Sequence, residues 1–184
     1  TMVMTDLGAD VIHIESPSRP DLTRVAGPFK DGVATAHSML NRNKRSISLD
    51  LKHPEAVEIV KSLIAKHDFD ILVEQFRPGV MEKLGLHYGC LKKLNERLIY
   101  CSLTGYGQTG PFSDRAGHDI NYLSIAGVNG HSGRLGERTP IMGVQIADLA
   151  GGAMHSIISI LAAVNHRHLT GKGQYIDVSM TDGV

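Results

Sequence analysis

The sequence predicts an α/β fold built on a doubly wound, mostly parallel, Rossmann-like sheet. Short apolar runs alternate with amphipathic segments over the N-terminal half, which is the order of strands and helices in β-α-β units. The run at residues 70–74 has an uninterrupted apolar centre, as in a strand buried on both faces of a parallel sheet. The 184 residues are 42% hydrophobic and 21% charged, which suits a globular chain. We therefore expect a single domain over residues 1–184.

Local patterns predict the individual elements. Pro54 and Glu55 suit the first turn of a helix, where a missing N–H and a negative charge are both favourable. Gly171 suits the end of a long apolar helix. Ligands of parallel sheets bind beyond the C-terminal ends of the strands. Strands are expected at residues 10–15, 46–51, 70–74, 98–103 and 174–178, and helices at residues 2–7, from 54 onward, at 80–84, 87–94 and 148–167.

Charge and cysteine content exclude several classes of function. Lys plus Arg and Asp plus Glu each number 19, so no overall charge attracts nucleic acid or an anionic membrane. Cys90 and Cys101 lie in unlike contexts and predict no disulfide framework, which suits a reducing, cytoplasmic location. The apolar run at residues 149–164 is interrupted by His155 and adjoins Asp148, so we expect a buried helix rather than a membrane span.

Cofactor fingerprints are also missing from the sequence. There is no G-x-G-x-x-G segment, so an ordinary nicotinamide or flavin site is not expected. Histidines at 166 and 168 lie two apart, which is the wrong interval for one face of a helix, and we predict no metal site.

Residues 117–148 contain the strongest candidate for chemistry. His118 and Asp148 each stand at the predicted first turn of a helix, and a His with an Asp is a common pair for moving protons near neutral pH. Both residues also have a purely structural interpretation, as hydrogen-bonding or capping groups of those helices. Asp119 is the more plausible plain cap of its own segment, or orients His118.

The chain resembles the family III CoA-transferase and α-methylacyl-CoA racemase superfamily. The matching stretches keep the family's order and lie at residues 6–11, 41–46, 49–52, 76–80, 103–111, 117–119 and 170–174. The resemblance implies the family III CoA-transferase fold, with the first strand and a second, smaller domain missing from this chain, which would then be an N-terminal fragment. It also implies interlocked homodimers whose active sites are completed by both protomers.

The resemblance assigns roles to particular residues. His118 and Asp148 match the catalytic pair of the racemases. Ser16 replaces an arginine that racemases have after the second strand, so Arg19, Arg42, Lys44 or Arg45 would have to pair with the 3′-phosphate of CoA. Arg42, Lys44 and Arg45 either contact a phosphate of CoA or form a solvated loop. The positions that would contact coenzyme A are Ser48, Leu49, Asp50, Leu51, Gln75, Phe76, Arg77, Gly117, Asp119, Ile120, Asn121, Tyr122, Arg42, Lys44 and Arg45.

Three functions follow from the resemblance. A racemase would move the α-proton of an acyl-CoA thioester between faces, using His118 and Asp148 as acid and base. A CoA-transferase would use Asp148 as a nucleophile and form an aspartyl-CoA thioester. A non-catalytic CoA-binding domain is the third. His118 favours the racemase, because transferases of this family usually lack it. The expected partners are an acyl-CoA and a second protomer, and no cofactor is expected beyond the coenzyme A of the substrate.

Overall fold

A computed structural model describes residues 1–66 and 69–184 of the chain. These residues form two compact units, Thr1–Val60 and Lys61–Val184. Helix α3 (Pro54–Ala65) begins at the predicted proline and crosses the boundary between the units. Its buried residues Ala56, Val60 and Ile64 lie four apart, on one face.

The first unit is built on two parallel strands. Strand β1 (Ile12–Glu15) pairs with β4 (Arg45–Ser48), and Ile14 lies opposite Ile47. Between these strands the chain forms elements that the sequence analysis did not predict, because most of them are only two or three residues long. They are a 3₁₀-helix at Leu22–Arg24, an antiparallel hairpin of β2 (Phe29–Lys30) and β3 (Val33–Ala34), and helix α2 (Thr35–Leu40). Helix α1 (Met2–Asp6) precedes β1.

The second unit has a three-stranded parallel sheet in the order β5-β6-β7. Its central strand is buried along most of its length and provides much of the core. The strands are β5 (Ile71–Glu74), β6 (Ile99–Thr104) and β7 (Tyr175–Ser179). The helices are α4 (Val80–Lys83), α5 (Tyr88–Leu91), α6 (Asp119–Ile125), a 3₁₀-helix at Val128–His131, a π-helix at Ala147–Met154 and α7 (His155–Thr170).

The predicted α/β class with mostly parallel sheets is confirmed. The main difference in the strands is at residues 46–51, where the strand ends at Ser48. Asp50 ends it by forming a turn, in which its carboxylate accepts the N–H of Lys52 at 3.1 Å and its carbonyl accepts the N–H of His53 at 2.8 Å.

The long helix near the C-terminus has a feature that the sequence did not predict. It begins as a π-helix, in which Gly151 allows the backbone after β7 to approach closely and Gly152 leaves room for the side chain of Met180. A Cβ on Gly151 would lie 2.5 Å from the carbonyl oxygen of Met180. The helix ends, as predicted, at Gly171 in the left-handed conformation, with φ 76°.

A buried arginine joins this helix to the sheet. Arg167 is only 7% exposed, lies 2.8 Å from the carboxylate of Asp70, and donates to the carbonyl oxygens of Asp70 and Arg97 at 3.2 Å. By length and composition alone, the continuous helix Ala147–Thr170 could cross a membrane, a test that core helices of globular proteins also pass.

Candidate active site

The first part of the site is the start of α6. His118 is the residue before the helix, with extended backbone angles, and its side chain is exposed. Asn121 holds this turn, because its side-chain oxygen accepts the backbone N–H of His118 at 3.0 Å. The carbonyl of His118 accepts the N–H of Asn121 at 2.8 Å in return. The imidazole is therefore presented to solvent from a fixed backbone turn.

The second part of the site is the start of the π-helix. Asp148 is half-buried, and its carboxylate accepts a hydrogen bond from the side-chain amide of Gln145 at 3.2 Å. π-Helical turns are uncommon in proteins and occur often at functional sites. The wider turn places Asp148 at the head of a 24-residue helix, where N–H groups favour negative charge.

A single side chain connects the two parts. Asp119 follows His118 and is buried, and its carboxylate accepts the backbone N–H of Asp148 at 3.0 Å. Asp119 therefore caps the helix of Asp148, 29 residues further on, and not the helix to which it belongs. The expectation that Asp119 is the plain cap of its own segment is wrong in this respect. No local sequence pattern signals a cap donated from another helix.

The packing below this connection is apolar. Tyr122, Leu123 and Ala147 form a buried cluster, so that α6 and the π-helix share one small core. The partly buried residues packed against it are Tyr106, Val128, Met142, Ile146, Met180 and Val184. His118 and Asp148 therefore stand at the starts of two helices that cannot move independently without opening this cluster.

The electrostatics of the site centre on Asp148. Partial burial raises the pKa of its carboxyl group, and the negative charge of Asp119 raises the pKa further, while His118 lowers it. His118 is thus near enough to Asp148 for the two charges to interact. A carboxyl group with a raised pKa takes up a proton nearer neutral pH than a free aspartate does, which suits acid/base chemistry.

The loop after β5 contributes a cation. Gln75, Phe76 and Arg77 are all exposed, and the carboxylate of Glu74 fixes the loop by accepting the N–H of Phe76 at 2.8 Å. The positive charge of Arg77 acts on Tyr122, since it offsets part of the rise in the pKa of the Tyr122 hydroxyl that burial causes. Arg77 therefore lies on the side of the unit that carries α6.

The remaining predicted contacts divide by exposure. Ile120 is 45% exposed and Asn121 is exposed, so both side chains are available to a ligand. Gly117 is half-buried, and Tyr122 is only 5% exposed. A contact between the Tyr122 side chain and a ligand would need the surrounding residues to move.

The other predicted CoA contacts lie in the first unit. Residues 48–51 follow β4, where Ser48 and Asp50 are exposed and Leu49 and Leu51 are half-buried. The N–H of Leu49 continues the pairing of the strands by donating to the carbonyl of Glu15 at 2.9 Å. The hydroxyl groups of Ser16 and Ser18 lie 3.2 Å apart, within hydrogen-bonding distance.

The three basic residues of this unit that are predicted to contact coenzyme A already have hydrogen-bond partners. Arg42 makes two hydrogen bonds to the carboxylate of Asp6, one of them 3.0 Å from its Nε. Arg45 does the same with Asp10, at 3.0 and 2.5 Å. Lys44 donates to the side-chain oxygen of Asn41 at 2.8 Å. A phosphate group that contacts these side chains would compete with their existing partners.

No metal site is evident in the described part of the chain, where no group of three or more His, Cys, Asp or Glu side chains could hold an ion.

Comparison with known proteins identifies the family. The model of CoA-transferase family III matches residues 1–184, and the chain belongs to that family. It is 42% identical over 183 residues to the human alpha-methylacyl-CoA racemase, a match that covers 99% of this chain and 44% of the racemase. It is 41% identical over 184 residues to the acetyl-CoA:oxalate CoA-transferase of Acetobacter aceti, covering 100% of this chain and 46% of the transferase.

Solved structures show the same relationship. A CAIB/BAIF family protein from Brucella suis superimposes with a TM-score of 0.90 and 40% identity, over 98% of this chain and 48% of that one. A second structure, that of Rv3272 from M. tuberculosis, gives a TM-score of 0.86 at 34% identity, over 98% of this chain and 50% of that one. The chain spans about half the length of the relatives it matches. The predicted family and its fold are confirmed.

Proposed function

We propose that the protein acts on acyl-CoA thioesters as an α-methylacyl-CoA racemase, with His118 and Asp148 as its acid/base pair. The observation that supports this most directly is the hydrogen bond of 3.0 Å from the backbone N–H of Asp148 to the carboxylate of Asp119. It joins the start of the π-helix to the start of α6. The identity of 42% to the human racemase supports the same proposal.

The reaction is a 1,1-proton transfer. One member of the pair removes the proton from the α-carbon, and the electrons of that C–H bond delocalise into an enolate. The other member, in its protonated form, donates a proton to the opposite face of the carbon and regenerates the thioester. The enolate oxygen needs positive charge, which the N–H groups of helix starts can supply.

The state of Asp148 suits both directions of this transfer. The raised pKa of the Asp148 carboxyl group is closer to the pKa of an imidazole than that of a free aspartate is, so Asp148 and His118 can each donate or accept the proton. A free aspartate is a weak base at neutral pH, and partial burial makes Asp148 a stronger base because it raises the pKa of the carboxyl group.

The alternative is a CoA-transferase, which Asp148 also allows. The carboxylate of Asp148 is half-buried and therefore reachable by a thioester. It would attack the acyl carbon and release CoA as the thiolate, leaving a mixed anhydride. The thiolate would then attack the aspartyl carbonyl, release the acid and form the aspartyl-CoA thioester. The identity of 41% to an acetyl-CoA:oxalate CoA-transferase supports this alternative.

The proposal extends to partners and location. The working form would be a homodimer, interlocked as the family resemblance implies, and no cofactor beyond the coenzyme A of the substrate would be needed. The location would be cytoplasmic, and neither nucleic acid nor a membrane would be a partner. A CoA-binding domain without catalysis remains the third candidate.

One experiment separates the three functions. The naturally encoded protein is incubated with a 2-methylacyl-CoA in D₂O, and the α-proton is followed by NMR beside the variants Asp148→Asn and His118→Ala. Deuterium incorporation that both variants lose is the expected result. Absence of exchange, together with CoA transfer to an added acid and an Asp148 thioester in the mass spectrum, would establish the transferase. CoA binding with neither reaction would leave the binding domain.

A further inference from the structure

Tyr122 occupies a slot that two glycines create. Gly105 follows β6, Gly117 precedes His118, and the ring of Tyr122 lies against both. A Cβ on Gly117 would be 2.6 Å from the Cε1 atom of Tyr122 and 2.8 Å from the hydroxyl of Tyr106, and a Cβ on Gly105 would also overlap the ring. Neither glycine has a positive φ angle, so it is the ring, not backbone strain, that requires a residue without a side chain.

The hydroxyl of Tyr122 points to the backbone of the site. It donates a hydrogen bond to the carbonyl oxygen of Gly117 at 2.6 Å, directly before His118. The ring is clamped from the side by Tyr106, whose ring lies edge-on at 5.1 Å. Burial and nearby negative charges raise the pKa of the hydroxyl, which therefore keeps its proton and remains a donor.

We infer that Tyr122 is a positioning residue for His118, and that it does not bind the substrate through its own hydroxyl group. This inference rests on the proposed acid/base role of His118. The peptide group between Gly117 and His118 is held at both ends, because Tyr122 donates to its carbonyl oxygen and Asn121 accepts its N–H.

The two possible roles of Tyr122 predict different kinetics. A substrate-binding hydroxyl would contribute equally to the ground state and the transition state, so its loss would raise KM. A positioning hydroxyl affects how often His118 is correctly placed, so its loss lowers kcat and leaves KM alone. The ring itself stays in place in Tyr122→Phe, because the glycine slot and Tyr106 hold it by shape.

The test compares Tyr122→Phe with Tyr175→Phe in the naturally encoded protein. Tyr175 is a matched control, because its hydroxyl donates to Ser102 at 3.1 Å within the sheet of the same unit. We expect Tyr122→Phe to lower kcat by about tenfold, the effect of one lost hydrogen bond of about 1.4 kcal/mol, with KM within about twofold. Tyr175→Phe should leave both constants nearly unchanged. A raised KM with an intact kcat, or no change in either constant, would overturn the inference.

A second readout does not depend on activity. The imidazole signals of His118 in ¹H–¹³C spectra, assigned with a His118→Asn variant, should be single and sharp in the wild type and shifted or broadened in Tyr122→Phe. Gly117→Ala should disturb them more, and Gly130→Ala, where an added Cβ meets nothing within 4 Å, should not. Unchanged signals in both Tyr122→Phe and Gly117→Ala would refute the positioning role. If wild-type protein neither exchanges the α-proton nor transfers CoA, the proposed function fails, whereas these spectra still decide the inference.

Discussion

Glu15 and Asp148 both stand at a terminus of a regular element, Glu15 at the end of β1 and Asp148 at the start of the π-helix, but their pKa values shift in opposite directions. Glu15 ends β1 and accepts two hydrogen bonds from Arg24, at 2.8 and 2.6 Å. The hydrogen bond from Arg24 is the main reason why the pKa of Glu15 falls to about 2. Among the residues that the structure describes, no cation is bonded to the carboxylate of Asp148, which accepts only the side-chain amide of Gln145; the charge of Asp119 acts on it, and its pKa is raised.

The comparison separates a carboxylate that stabilises from one that is available for chemistry. The charge of Glu15 is satisfied in the folded protein, so folding favours its ionised form. The charge of Asp148 is only partly satisfied, so folding disfavours its ionised form. A carboxylate whose ionised form is disfavoured by folding accepts a proton or attacks an electrophile more readily.

The largest expected difference is in activity. Replacing Asp148 by Asn keeps the shape of the side chain and removes its ability to take a proton, so kcat should fall about 1,000-fold or more. The matched replacement Glu15→Gln should leave kcat within about threefold, since Glu15 is bonded to Arg24 and is not a member of the proposed acid/base pair. Deuterium exchange at the α-carbon measures both. Equal losses in the two variants would mean that Asp148 acts through structure alone.

A smaller effect is expected on stability at the Glu15 end of the comparison. Arg24→Met removes both hydrogen bonds while retaining an apolar stem, and should lower the free energy of unfolding by about 1 kcal/mol, since Arg24 is partly exposed. Because the folded pKa of Glu15 lies below its unfolded value, this stabilisation is present above pH 4.5 and disappears as the pH falls toward 2. Urea titrations at pH 7 and pH 3 check it. A pH-independent loss would implicate packing instead of charge.

The sequence predicted much of the fold because local patterns determine it. Pro54 starts α3, Gly171 ends α7, and the apolar centre of β5 places that strand in a parallel sheet. The elements between Ser16 and Asn41 escaped prediction, because a two-residue hairpin has no periodicity to detect.

The site was less predictable, and for a different reason. His118 and Asp148 stand at helix starts, as expected, but the link between them is made by the side chain of Asp119 to a backbone group 29 residues away. The slot for Tyr122 likewise needs two glycines that are 12 residues apart, Gly105 and Gly117. Long-range contacts of this kind are set by tertiary packing, which a single sequence does not display.

The stability of the Asp148 end should respond to pH in the opposite sense. Its folded pKa is raised above the unfolded value, so its contribution to stability is fully present below the unfolded pKa and is lost as the pH rises through the folded pKa. Asp148→Asn should therefore make the inactive protein slightly more stable than wild type at pH 7. Thermal unfolding at several pH values measures the difference, which should vanish below about pH 4. Lower stability of the variant at pH 7 would show that the carboxylate is well satisfied after all.

The smallest expected effect tests what sets Asp148 apart from Glu15, namely the acid beside it. Asp119→Asn keeps an oxygen that can accept the N–H of Asp148 but removes the negative charge that raises the pKa of Asp148. The acid limb of the kcat–pH profile should then move to lower pH, because Asp148 loses its proton more easily. Asp119→Ala also removes the cap, and should lower the free energy of unfolding by about 1 kcal/mol in addition. An acid limb that stays in place in Asp119→Asn would mean that burial alone raises the pKa of Asp148, and that Asp119 contributes to the site only as a hydrogen-bond acceptor.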